Sequence, residues 1–208
     1  MSLYIWTQQS KTPYVGTQAV TAMYVWTQKV WNQPLGWTLN PSDKNANITL
    51  TGWNLTAQNT WGNVNACVRW TQAISSWKWY WEITIVPFSW AHGIITVWVG
   101  TSAMQMPNGN VVGSDSAGWG WWATSALKIH GNITSWYGST VNTSDVIGVA
   151  LDMDAWEITM YKNGVSQGLM YTGITWTVYP AVSCNQLDKV TFNFWATSYV
   201  YSPPAWYY

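Results

Sequence analysis

Asp145-Val146-Ile147-Gly148-Val149-Ala150-Leu151-Asp152-Met153-Asp154-Ala155-Trp156-Glu157-Ile158-Thr159-Met160-Tyr161-Lys162-Asn163-Gly164 reads as two strands and the turns that bound them. Ile147, Val149 and Leu151 fall on one face of the first strand. Ile158 and Met160 do the same in the second. A period of two is the mark of a strand with one face in a core. Asn163-Gly164 closes the second strand. It is the strongest short hairpin signal, because both turn positions need positive φ. Asp154-Ala155-Trp156-Glu157 is a tight connection between the strands.

The same pattern continues on both sides. Ile48-Thr49-Leu50, Tyr80 to Val86, Ile94 to Val99, Val178 to Val182 and Val190 to Phe194 are short runs rich in Val, Ile, Thr and aromatics, separated by Gly, Asn, Asp, Ser or Pro. Tyr80, Glu82 and Thr84 alternate with Trp81, Ile83 and Ile85, which predicts one buried and one polar face. No window carries a helical period with caps. Many short strands at close spacing predict an all-β fold, a two-layer antiparallel β-sandwich.

A different pattern precedes it. Tyr4-Ile5-Trp6-Thr7-Gln8, Tyr14-Val15-Gly16-Thr17-Gln18 and Tyr24-Val25-Trp26-Thr27-Gln28 are copies of one unit, repeating every ten residues. Each reads as a short strand, a turn at the third position and a return segment. Three such units bury little surface alone. The chain therefore divides into repeats over residues 1–35, a polar linker over 36–46 and the sandwich over 47–208.

Charged residues make up 8% of the chain and the formal net charge is zero, against about 25% charged in an average domain. The basic residues are scattered, which argues against nucleic acid as a partner. No apolar run approaches the roughly 18 residues of a membrane span. Met1 to Gly16 is polar and lacks the pattern of a signal peptide. Cys67 and Cys184 are too few for a disulfide framework and read as free, half-buried thiols. His92 and His130 have no Cys or acidic neighbours at ligand spacing, so neither a metal nor a cofactor is expected. Both lie in Gly-rich text, where an exposed histidine is the ordinary finding. Four Asn-x-Ser/Thr triplets, at Asn47, Asn54, Asn132 and Asn142, are what chance gives in a chain this rich in Asn and Thr.

Ser76-Trp77-Lys78-Trp79-Tyr80-Trp81-Glu82-Ile83-Thr84-Ile85, the strand Asp145 to Asp154 and the hairpin Glu157 to Gly168 resemble, in order, consecutive strands of the SPRY family. Tyr179-Pro180-Ala181-Val182-Ser183 and Val190-Thr191-Phe192-Asn193-Phe194 are similar to its closing strands. The resemblance implies a concanavalin-like, jelly-roll sandwich that binds a protein or glycan through loops at one end, without catalysis. The family spans intracellular protein recognition and phage structural proteins. The ten-residue units look more like those of a phage tail or virion protein, by analogy. A virion-associated module is thus the first expectation, with assembly into a larger oligomer. A cytoplasmic protein-interaction module is the second.

A third expectation is a concanavalin-like glycoside hydrolase, which would need two carboxylates as acid and nucleophile. Asp152-x-Asp154-x-x-Glu157 superficially supplies them, but a turn at Ala155-Trp156 would break the shared strand face. Residues 103–143 hold the longest irregular segments, and loops on a rigid sandwich are where binding sits. Asp115, Trp119, Trp121, Trp122, His130 and Tyr137 are the candidate ligand contacts there, although Trp119 and Trp121 read equally well as core.

Twenty tryptophans in 208 residues call for their own explanation. The third position of the N-terminal unit is Trp6, Gly16 and Trp26, two physical opposites in one role. Trp77, Trp98, Trp156 and Trp195 also fall where the SPRY resemblance implies glycine, and Trp70, Trp176 and Trp206 are further candidates. A residue with a Cβ costs roughly 1–2 kcal/mol in a left-handed turn that glycine adopts freely. Two explanations are open. The indoles are binding platforms, or the codons are UGA, which some bacterial lineages read as glycine. The second predicts exposed indoles at positive φ; the first predicts burial or one patch. Trp79, Trp81 and Trp119 suit a sandwich as they stand.

Overall fold

The computed structural model describes residues 37–61, 64–86, 95–104, 113 and 115–207, together with the backbone of four short strands between residues 14 and 31. Those four form two separate hairpins. β1 (Tyr14–Val15) pairs with β2 (Gln18–Ala19), and β3 (Met23–Val25) with β4 (Gln28–Trp31). Val15 faces Gln18 and Val25 faces Gln28, so the second and third units pair in the same register.

The rest is two antiparallel sheets of seven strands. The first runs β13 (Ile133–Trp136), β12 (Leu127–His130), β11 (Gly118–Trp122), β10 (Thr96–Gly100), β17 (Tyr179–Cys184), β8 (Ala66–Trp70), β5 (Leu39–Lys44). The second runs β16 (Val165–Thr172), β15 (Glu157–Lys162), β14 (Val146–Asp152), β9 (Lys78–Val86), β18 (Lys189–Asn193), β7 (Thr56–Asn59), β6 (Ile48–Thr51). One short 3-10 turn, Ala123–Ser125, is the helical content among the described residues.

Ile147, Val149, Leu151, Ile158 and Met160 enter the core between the sheets, with Trp81, Ile83 and Ile85 of β9 and Val97 and Val99 of β10. Trp70 stacks on Phe194 at 4.0 Å between ring centroids and meets Trp37 edge-on at 4.9 Å. The Asn163-Gly164 turn has φ of 49° and 76°, the two positive values its sequence predicts.

Three expectations change. Residues 39–44, placed in a linker, form the edge strand β5, with Leu39 paired to Trp70 and fully buried. A short run with Pro41 and no alternation hides an edge strand of this kind. Residues 103–143 are less irregular than expected, since they contain β11, β12 and β13. The outward face of β9 is polar but not exposed. Tyr80 and Glu82 are both buried, covered by the segment 198–201.

Candidate functional site

β11, β12 and β13 are successive hairpins at one edge of the first sheet, so the candidate ligand residues are carried on ladders rather than on a loose loop. Trp119 and Trp121 point between the sheets; both are buried, Trp121 completely. The Trp121 Nε1–H donates to the Tyr137 carbonyl at 3.2 Å. Tyr137 is buried as well. Its hydroxyl donates to the Gly168 carbonyl and accepts the Met160 N–H at 3.2 Å. Burial pushes that hydroxyl's pKa up to about 12. Tyr137 thus ties the end of β13 to β15 and β16 across the sandwich.

His130 is half-buried, not exposed as its Gly-rich surroundings implied. Its ring stacks on Trp119 at 4.9 Å and 8°, and its Nδ1 lies 2.8 Å from the Gly118 carbonyl. The Lys128 ammonium sits 4.8 Å from the Tyr171 ring centre and donates to the Met170 carbonyl at 2.8 Å. These residues close one side of the sandwich, strand β12 against strand β16. Asp115 is half-buried; its carboxylate accepts the Ala117 N–H at 3.0 Å and its carbonyl accepts the Gly131 N–H at 3.0 Å. Trp122 is half-buried too. Of the six candidates, then, Trp119, Trp121 and Tyr137 are architectural, a role the sequence allowed for the two tryptophans and not for the tyrosine. Asp115, Trp122 and His130 keep accessible surface. His92 lies outside the described residues.

What this edge does expose is β13 itself. All four of its residues are exposed, Ile133 at 74% and Trp136 at 83%. Among the described residues, β13 is the last strand of its sheet and pairs with β12 alone. The Tyr137 N–H donates inward to the Ala126 carbonyl at 2.9 Å. By the alternation of an antiparallel ladder, Ile133 and Ser135 also donate inward, and Thr134 and Trp136 present their N–H groups outward. Sequence reasoning passed over this strand because Ile133-Thr134-Ser135-Trp136 has no buried face to impose a period of two.

Of the Asp152, Asp154 and Glu157 constellation, Asp152 and Asp154 fasten turns. Asp152 ends β14 directly opposite Glu157, and Asp154 lies in the turn between them. The Asp152 carboxylate accepts the Lys78 ammonium and the N–H groups of Asp154 and Ala155 at 3.0 and 2.9 Å. Burial raises its pKa, but these donors outweigh burial and hold it below the ordinary carboxylate value. An acid so stabilised as its anion is a poor proton donor. Asp154 accepts the Trp77 N–H at 3.2 Å, and so fastens the neighbouring connection.

Two further features had no sequence signal. Arg69 is buried and donates to both Asp43 oxygens, at 2.8 and 3.0 Å. The same guanidinium donates to the carbonyls of Thr101, Ser102 and Met104, holding the segment after β10 against the sheet. Beneath that segment Trp98 is fully buried with Cys67, Met104 and Ala181. Neither Cys67 nor Cys184 is in a disulfide, and both are completely buried rather than half-buried. They sit one residue out of register on β8 and β17, on opposite faces of the sheet. Among the described residues no three His, Cys, Asp or Glu side chains converge as metal ligands would.

A two-sheet antiparallel sandwich whose charged and polar groups fasten its own connections defines a scaffold that presents edges and turns. The chain belongs to the SPRY domain family, whose model matches residues 78–197, more than half its length. It is 39% identical over 70 residues to the E3 ubiquitin-protein ligase RKP of Arabidopsis thaliana, a match covering 31% of this chain and 6% of that protein. Among solved structures it is similar to the SPRY domain of human HERC1, with a TM-score of 0.65 and 19% identity over 77% of this chain and 99% of that one. It is also similar to the TRIM65 PSpry domain, with a TM-score of 0.61 and 15% identity over 76% and 89% of the two chains. At these identities the structural likenesses show the fold.

Proposed function

We propose that the chain is a non-enzymatic protein-recognition module that takes an extended segment of a partner along β13. The observation that carries this is the open edge: a four-residue strand exposed on both faces, with N–H groups of Thr134 and Trp136 facing outward. An added strand would pair with that backbone, and Ile133 and its neighbours would select side chains. His130 pairs with Ile133 at the start of this strand, and the Asp115 carbonyl accepts the Gly131 N–H in the turn before it, so both neighbour the same edge. SPRY membership supports protein as the ligand class, and the plant ligase among the relatives favours an intracellular partner.

The test is a peptide-display selection against the folded chain. Binding of selected peptides is expected to fall at least tenfold in Thr134→Pro, which removes an outward donor and leaves the inner ladder intact, and in Ile133→Lys. Thermal midpoints should stay within a few degrees of the parent. Unchanged binding in both variants overturns the site.

The ten-residue units support a second reading, a tail- or virion-associated module that contacts a host-surface protein or glycan, in the virion. Flanking tail or baseplate genes would favour it, and a fused ubiquitin-ligase or signalling domain would favour the cytoplasmic reading. Hydrolysis of a polysaccharide, abolished by Glu157→Gln, would overturn both.

A further inference from the structure

Five tryptophans among the described residues have a left-handed backbone: Trp53 at φ 62°, Trp77 at 75°, Trp156 at 60°, Trp195 at 69° and Trp206 at 72°. All five are exposed, between 45% and 87%. Trp70, Trp81, Trp98 and Trp121 lie in strands and are at most 1% exposed. These five and those four are thus separated by backbone conformation and by burial together, while Trp61, Trp136 and Trp176 are exposed without a positive φ. Asn is the ordinary non-glycine occupant of the left-handed region, and a bulky residue there is an outlier. Here three such residues are Asn and five are Trp.

Position in the fold sharpens the contrast. Asp152 pairs with both Lys78 and Glu157, Glu157 pairs with Thr172, and Thr191 pairs with both Thr84 and Thr56. Trp77, Trp156, Gly173, Trp195 and the pair Gly52-Trp53 therefore lie at the same end of neighbouring strands of the second sheet. Gly52 (φ 58°) and Gly173 (φ 76°) adopt there the conformation that Trp53, Trp77, Trp156 and Trp195 adopt. Glycine and tryptophan alternate in one structural role along a single rim, and they exchange in sequence at the third position of the repeat, Trp6, Gly16 and Trp26. An aromatic platform needs exposed rings, but it has no need of left-handed backbone. Glycine needs the backbone and accounts for the exposure, because nothing evolved to cover a side chain that is absent.

We infer that positions 53, 77, 156, 195 and 206 are glycine in the protein as its own cell makes it, encoded by UGA that the cell reads as glycine and that a code with UGA as tryptophan misreads. Trp70 and Trp98, both candidates from the sequence, are outside this set: they lie in strands and their indoles are buried. Trp176 is exposed without a positive φ and is outside it too. Trp6 and Trp26 lie outside the described residues. The inference is independent of the β13 site, and either can fail alone.

The test is the gene together with tandem mass spectrometry of peptides from the natural protein. UGA at all five positions, UGG at Trp70, Trp81 and Trp121, and glycine in the matching peptides are the expected result. UGG at the five, or tryptophan in those peptides, overturns the inference. A stability comparison reads the physical side. A chain made with glycine at all five positions should have a higher denaturation midpoint than one made with tryptophan, whereas Trp81→Gly should lower it. An equal or lower midpoint for the five-glycine chain also overturns the inference.

Discussion

The Glu82 carboxylate, buried in the middle of β9, accepts the backbone N–H of Val200 at 2.7 Å. Its other oxygen accepts the Tyr201 N–H at 2.8 Å, and the Tyr199 hydroxyl donates to the Tyr80 carbonyl at 2.6 Å. One acidic side chain thus fastens the chain's last segment over the outer face of the second sheet. Hydrogen bonds to a charged group contribute about 1.5–3 kcal/mol. Glu82→Ala is expected to destabilise the sandwich by about 2–4 kcal/mol, since two N–H groups lose their acceptor. It should also release residues 198–207 to proteolysis before the rest unfolds. Urea denaturation and limited proteolysis check the two parts.

Gly148 lies opposite Glu82 in the same sheet, and a Cβ there would stand 2.4 Å from the Tyr80 hydroxyl oxygen and 2.9 Å from its ring. Tyr80 is itself held between Tyr161 and Tyr199, so it has little room to yield. Gly148→Ala is expected to cost about 1–3 kcal/mol by overpacking. A chemical-denaturation midpoint equal to the parent's would show that Tyr80 can move.

The legible parts of this fold were those with an alternating face or a turn that names its own φ. β9, β14 and β15 send every second residue, large and apolar, into the core between the sheets, with Gly148 and Ala150 on the other face of β14, and Asn163-Gly164 fixes its hairpin. β8 escaped because Ala66-Cys67-Val68-Arg69-Trp70 is buried on both faces, so hydrophobicity has no period to show. β13 escaped for the opposite reason, having no buried face. Among the candidate contacts, the aromatic content of Trp119, Trp121 and Tyr137 was visible but its direction was not. Only the pairing of β11 with β10 and β12 decides which rings turn inward. The Trp and Gly exchange was legible because the repeat supplied its own comparison at one position.

The two hairpins of the repeats pair within themselves, and the sandwich strands begin at Leu39. A chain lacking residues 1–33 is expected to fold, with a cooperative transition within about 1 kcal/mol of the parent, since neither hairpin is a strand partner of the two seven-stranded sheets. Loss of cooperative unfolding in the truncated chain would show that the repeats belong to the sandwich.

Cys67 and Cys184 offer a check on packing that needs no mutation. Burial pushes the Cys67 thiol up to about 12 and raises Cys184 well above its ordinary value. The thiolate is the reactive form, so both thiols should be inert to a disulfide reagent in the folded protein near neutral pH. Both should react together on unfolding. Rapid labelling of Cys67 alone would mean that the segment after β10 opens and uncovers Trp98 and its neighbours.

Asp152 predicts how the fold responds to acid. Burial raises its pKa, but the Lys78 ammonium and the N–H groups of Ala155 and Asp154 together bring it below the unfolded value, which is about 3.9 for an aspartate. A group whose pKa is lowered by folding stabilises the folded state in full above its unfolded pKa. That contribution declines as pH falls below about 4 and is gone once the folded-state pKa is passed. Asp152→Asn keeps the shape and one acceptor oxygen but removes the titration. Its denaturation midpoint should lie below the parent's near neutral pH, and the two curves should converge as pH drops through about 4. Lys78 is partly exposed, so screening weakens its share. The backbone donors of Ala155 and Asp154 are not screened in the same way, so high salt should narrow the gap without closing it. Parallel curves at every pH would mean that Asp152 acts only as a hydrogen-bond acceptor for its turn and that its charge contributes nothing.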